Sequence, residues 1–184
     1  MSRVTMTIEE VQKLMKRERG AKRAERIAED KTAAEARRAS YRVSTEPVSF
    51  RLPFPPPLNR YYREYPVRTK SGKWIVTKSI SKGGMNFRRA VIDQWQRDIR
   101  ITFDAGLRLA IKIVAVFPDN RAYDLDGLWK ATLDALEKAG AYASDEKIKA
   151  ESMEQNRVKA PGWLDITLGP KPGERQGTLF EIAW

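Results

Sequence analysis

Asp124 and Asp126 stand two residues apart in the run Arg121-Ala122-Tyr123-Asp124-Leu125-Asp126-Gly127-Leu128-Trp129-Lys130, and Asp145 follows about one helix later. Three carboxylates and a lysine can hold a divalent cation against a phosphate. Hard oxygen donors alone suit Mg²⁺ or Mn²⁺. Such ions activate water and stabilise the charge that develops on a phosphodiester as it breaks. Lys130 would add a positive charge near the phosphate or the leaving oxygen. The chain has no histidine and no cysteine. Ser-His-Asp and Cys-His catalysis, imidazole ligands and thiolate sites are therefore excluded. Hydrolysis here must use carboxylates, Lys, Tyr or a metal-bound water.

Spacing places part of this constellation. On an extended segment entering a helix, residues two apart point the same way, so Asp124 and Asp126 fit the end of a loop after a strand. Lys130 lies four residues beyond Asp126, on the same helical face. Leu125, Leu128, Trp129, Thr132 and Leu136 fall on another face, free to pack inward. Asp145 can join only through tertiary structure. Plainer roles stay open for each residue. Asp126 suits a helix N-cap, Lys130 suits a surface pair with Asp126 or Asp134, and Asp134 suits a helix-surface ion partner.

The surrounding elements follow from pattern. Thr7-Ile8-Glu9-Glu10 has the form of a capping box. Ile8, Val11, Leu14 and Met15 recur at helical spacing. After Gly20, Ala21–Ser40 reads as a second, mostly polar helix, either solvated or used as a basic arm toward a partner subunit or DNA. Val48–Leu52 alternates as a strand, which Pro53–Pro57 ends. Asn59–Arg63 reads as a loop and Lys73–Thr77 as a strand. Asn86–Arg100 reads as a helix with Phe87, Val91, Trp95 and Ile99 in one stripe. Leu107–Phe117 alternates as a strand, broken by Pro118-Asp119-Asn120. A helix from about Leu125 to Ala139 should stop at Gly140. Lys147–Val158 and Trp163–Leu168 should form a closing pair of strands around Pro161-Gly162.

Composition sets the partners. Lys and Arg number 35 against 24 Asp and Glu, a formal charge of +11, with 41% hydrophobic residues. That excess attracts polyanions, nucleic acid first. No apolar run approaches the ~20 residues of a membrane span. No secretory h-region opens the chain. The expectation is a cytoplasmic chain with no membrane contact. Its parts would be a basic helical extension over residues 1–45, a core domain over 46–170 and a tail over 171–184.

With those residues assembled, the chain resembles the RusA family of Holliday junction resolvases. Three blocks carry the resemblance: Asn59-Arg60-Tyr61-Tyr62-Arg63 after a Pro-rich strand end, the run from Arg121 to Gly140, and the acid at Asp145. The second matches Asp-Leu-Asp-Asn-Leu-x-Lys-x-x-x-Asp-Ala-Leu-x-x-Ala-Gly almost throughout. The resemblance implies an α+β fold, a single mixed β-sheet packed with helices, here with an added N-terminal helical arm. It implies a homodimeric, Mg²⁺-dependent endonuclease that binds four-way junction DNA and nicks two strands symmetrically. By position, Asp124, Asp126 and Asp145 resemble the metal-binding acids and Lys130 the catalytic lysine. The family's usual Asn is replaced by Gly127, and the basic residue that often precedes the first Asp is replaced by Tyr123. Arg121 could substitute for it, or Tyr123 could stack on a base. A non-catalytic branched-DNA binding protein that keeps the fold is the alternative.

Arg60, Arg63, Lys73, Lys78 and Arg121 are expected to contact DNA phosphates. Tyr61 and Tyr62 are candidates for stacking at an opened crossover, or for ordinary core packing. In the tail, Gln176-Gly177-Thr178-Leu179-Phe180 resembles the Gln-x-x-Leu-Phe peptide that binds bacterial sliding clamps. Gln176 would be the polar anchor, with Leu179 and Phe180 entering a pocket. The alternative is a tail folded back on the core.

Overall fold

A computed structural model describes residues 8–123 and 125–172. The elements in order are α1 (Ile8–Ala39), β1 (Arg42–Ser44), β2 (Val48–Pro53), α2 (Leu58–Tyr61), β3 (Tyr62–Arg68) and β4 (Trp74–Ile80). Then come α3 (Lys82–Gln94), β5 (Ile101–Phe103), β6 (Leu109–Phe117), α4 (Leu125–Ala139), β7 (Ile148–Val158) and β8 (Trp163–Pro170). A π-helical turn, Trp95–Ile99, extends α3, and a 3₁₀ turn, Asp145–Lys147, precedes β7. The fold is α+β, as expected.

The central sheet has the order β2-β8-β6-β7. β6 pairs antiparallel with β8 and parallel with β7. The parallel pair requires a crossover, and α4 supplies it. Alternation along β6 turns Leu109, Ile111, Ile113 and Ala115 inward, all essentially without exposed surface. They meet Leu164, Ile166 and Leu168 of β8, Leu128, Ala131, Ala135 and Leu136 of α4, and Phe87, Val91 and Trp95 from α3 and its extension. The opposite face of the sheet is wet. There Arg51 pairs with Asp165 at 2.7 Å, Lys112 with Glu154 at 2.9 Å, and Ser49 with Thr167 at 2.9 Å. Such exposed pairs contribute about 0–1 kcal/mol each.

Three expectations are revised. The helix runs on through Gly20, so α1 is one element of 32 residues. Asn59–Arg63 is not a loop: it forms most of α2 and the start of β3. β7 and β8 do not pair with each other, because β6 lies between them. Their connection instead passes over the end of β6, where the Lys159 amide donates to Phe117 O at 2.8 Å. Two further two-stranded ribbons, β1–β5 and β3–β4, complete the fold.

The expected stop at Gly140 is present. Gly140 has φ +87, and the Gly140 and Ala141 amides donate to Glu137 O and Leu136 O. This is the left-handed cap that glycine adopts without strain. The end of α1 adds to it. Arg37 Nη2 donates to Lys138 O at 2.8 Å and Arg38 Nη1 to Tyr142 O at 3.4 Å. Cations there complement both the carbonyls and the dipole of α4.

Gly127 has a packing reason. A Cβ on it would stand 2.7 Å from Leu58 Cβ, because α2 crosses the start of α4 at close range. At the far side of α4, Tyr62 Oη donates to Asp134 Oδ2 at 2.8 Å and ties the β3–β4 ribbon to the helix. Asp134 is thus a tertiary hydrogen-bond acceptor rather than a surface ion partner of Lys130.

Gly127→Ala should lower stability by about 1–2 kcal/mol, since overpacking outweighs the helix-propensity gain. A thermal melt that rises instead would refute the close-approach argument. Tyr62→Phe should cost about 1–2 kcal/mol in urea unfolding, the loss of one hydrogen bond to a carboxylate.

Candidate active site

The site forms where the chain leaves β6 and enters α4. Pro118 ends the strand, and Asp119 then braces the loop. Its Oδ1 accepts from the Arg121 amide at 3.0 Å and from Tyr123 Oη at 3.0 Å. The Arg121 amide, followed by the Tyr123 hydroxyl, holds the Asp119 carboxyl below its usual range. A depressed carboxyl keeps its charge through neutral pH, so the brace weakens only as the pH falls through that lowered value. The Tyr123 ring packs against Phe117 at 5.0 Å and Phe54 at 5.2 Å between centroids. These contacts direct the ring into an aromatic cluster rather than outward to a base.

Asp124 lies outside the described residues. Asp126 occupies the first turn of α4, where the helix dipole favours negative charge. Lys130 follows one turn on, and both side chains are exposed. Burial of the Leu128, Thr132 and Leu136 side fixes this orientation, with Trp129 half-buried and Leu125 more exposed than its spacing suggests. Beside Asp126 is a cleft of about 170 Å³ lined by Leu125, Asp126, Trp129, Glu151, Ser152 and Met153. Glu151, on β7, is a carboxylate the sequence did not single out. Its place there depends on the parallel register of β7 on β6, which residue spacing does not encode.

Asp145 opens the 3₁₀ turn that leads into β7, beyond the C-terminal end of α4. From Asp126 to Ala139 the helix rises about 20 Å. Ile148, three residues after Asp145, pairs with Leu109 at the start of β6, whereas Asp126 follows the end of β6. The two acids therefore belong to opposite ends of the β6–α4–β7 unit within one chain. Among the described residues no group of three acidic side chains is arranged to hold a metal ion.

The expected DNA contacts divide. Arg60, Arg63 and Lys73 are exposed. Lys78 is exposed and pairs with Glu64 at 2.9 Å. Arg121 is exposed beside Asp119, at 3.6 Å. Tyr61 is fully buried, with Tyr62 and Phe87 around its ring, so it belongs to the core. Tyr62 is half-buried. Burial first, then the Asp134 carboxylate, push its hydroxyl well above the ordinary tyrosine range. It stays protonated and is a donor, not a base. A larger groove of about 590 Å³ runs between Pro57, Leu58, Asn59, Tyr62, Glu64 and Lys78 on one side and Ala122 and Tyr123 on the other. Gln176, Leu179 and Phe180 lie outside the described residues. No helix among those described is long and apolar enough to cross a membrane.

No protein-family model matches the chain. Curated relatives do. It is 36% identical over 123 residues to the crossover junction endodeoxyribonuclease RusA of Shigella sonnei, covering 65% of this chain and 92% of that protein. The namesake of Escherichia coli (strain K12) is 35% identical over the same shares. That of Enterobacteria phage HK97 is 36% identical over 113 residues, 61% of this chain and 85% of the relative. With nearly the whole of those relatives spanned, and with the acid-and-lysine start of α4 exposed where the sequence pattern puts it, this chain belongs to the RusA family of crossover junction endodeoxyribonucleases.

Proposed function

We propose that the protein is a metal-dependent endodeoxyribonuclease that resolves four-way DNA junctions by paired, symmetric nicks. Membership of the RusA family carries this reading, because the relatives it matches over 92% of their length are named crossover junction endodeoxyribonucleases. The structure supports it at the start of α4, where an exposed carboxylate, an exposed lysine and a helix N-terminus point the same way. A helix N-terminus is itself a favourable place for a phosphate.

The donor set fits a hard cation. Asp124, Asp126 and Asp145 offer only oxygen, and the chain has no histidine or cysteine to favour a softer metal. Those three acids would hold Mg²⁺, which when bound supplies Lewis-acid stabilisation of phosphodiester charge. The chain's own residues do the rest. Lys130 places a positive charge beside the phosphate and offsets charge building on the leaving oxygen. Asp119 fixes the loop ahead of α4. Exposed Arg60, Arg63, Lys73 and Arg121 hold flanking phosphates without reading sequence.

The separation of Asp145 from Asp126 along α4 bears on assembly. A centre using both acids needs a second copy of the chain to bring its Asp145 to the start of this α4. Two nicks on two strands also need two centres related by symmetry, so a two-fold homodimer meets both demands. The tail peptide Gln176–Phe180 would add sliding-clamp binding. Removing residues 173–184 should leave junction cleavage intact and abolish capture by clamp.

Asp126→Asn should lower cleavage of a synthetic four-way junction in Mg²⁺ by at least about 100-fold while binding persists, and Lys130→Ala should cost about 10- to 100-fold. Cleavage near the wild-type rate in Asp126→Asn would sink the nuclease reading.

A further inference from the structure

The β3–β4 ribbon carries its side chains in register. Tyr62, Glu64, Pro66 and Arg68 share one face with Ile80, Lys78, Val76 and Trp74. The inner end of that face is anchored: Tyr62 and Ile80 pack on the core, and Glu64 and Lys78 line the groove beside Ala122 and Tyr123. The outer end is bare. Val76 is 67% exposed and Trp74 65%. From Lys78 to Trp74 the strand rises about 13 Å, so the indole stands well beyond the groove that leads to the loop before α4.

The tip is held stiff. The Thr69 amide donates to Lys73 O at 2.7 Å, the Lys73 amide to Thr69 Oγ1 at 3.1 Å, and Arg68 Nε to Gly72 O at 3.2 Å. A preorganised aromatic costs little entropy to use. The ribbon also bears Arg63, Arg68, Lys70, Lys73 and Lys78 against a single acid, Glu64. Pairing this surface with its own copy would set cation against cation. A polyanion with an accessible apolar face suits it instead. Continuous duplex hides its base-pair faces in the stack, whereas a branch point leaves some of them open. Wedging apolar side chains against such faces is an established way to use them.

We propose that Trp74 is a specificity-determining residue whose indole stacks on a base exposed at a DNA branch point, while the ribbon's cations hold the adjoining phosphates. This rests on the branched-DNA reading above and names what in this chain distinguishes a branch from a duplex. The test uses the full chain in EDTA, where DNA stays uncut. Fluorescence anisotropy would compare a synthetic immobile four-way junction with a linear duplex of the same arm sequence. Trp74→Ala should weaken junction binding about tenfold or more and leave duplex binding within twofold, and Trp74→Phe should recover most of the loss. In wild type, 2-aminopurine placed beside the branch should change in fluorescence on binding, and in Trp74→Ala it should not. Lys70→Ala with Lys73→Ala should instead weaken both DNA forms alike. Equal losses on both DNA forms for Trp74→Ala, no loss at all, or an altered particle mass in light scattering would overturn the proposal while leaving the nuclease reading in place. A wild-type protein that binds junction and duplex alike would overturn both.

Discussion

The site depends on how α4 returns across β6. β6 is bonded on both edges, to β8 and to β7, and its inner face is wholly apolar. The helix laid on that face must bury one side completely, which leaves its rotation no freedom. Leu128, Ala131, Ala135 and Leu136 set the rotation, and the exposed placing of Asp126 and Lys130 follows from it. Burial of apolar surface at roughly 25 cal/mol per Å² thus fixes the direction of the exposed charged groups on the other side of the helix. The same helix is held at both ends, by α2 against Gly127 and by the Arg37 guanidinium on Lys138 O.

Charge is distributed to match. Asp126 stands at the N-terminus of α4, where the helix dipole favours its charge. Exposed cations lie on α2, the β3–β4 ribbon and the loop before α4. On the proposed reading, a phosphate backbone would approach from the basic side. With no histidine in the chain, no imidazole is available for acid–base work. Burial and Asp134 keep Tyr62 out of that role too.

Much of this was legible in the residues. The span Leu125–Ala139 and its glycine stop were readable because a 3.6-residue apolar period and a C-terminal glycine are local signals. β6 was readable because a short apolar run ended by Pro118 is a local signal. What spacing could not supply was order in space. The insertion of β6 between β7 and β8 depends on the crossover through α4 and on the short connection over Phe117, both of which are non-local. The strand β5 is only three residues long, too short for a period to register. Gly127 reads in isolation as a weakened helix start; only the nearness of Leu58 shows it as a fitted contact. Pairing of Asp134 with Tyr62 was hidden for the same reason, as was the distance of Asp145 from Asp126 along the helix axis.

One consequence of this architecture concerns how damage would be perceived. Because the inward side of α4 sets the bearing of its outward side, a random-mutagenesis screen scored only on cutting would return Leu58, Gly127 and Leu128 alongside the acids. Those hits would mimic chemical lesions while acting only through packing. Sorting the two kinds would require a folding readout taken in parallel, since the location of a hit along the chain says nothing about which kind it is.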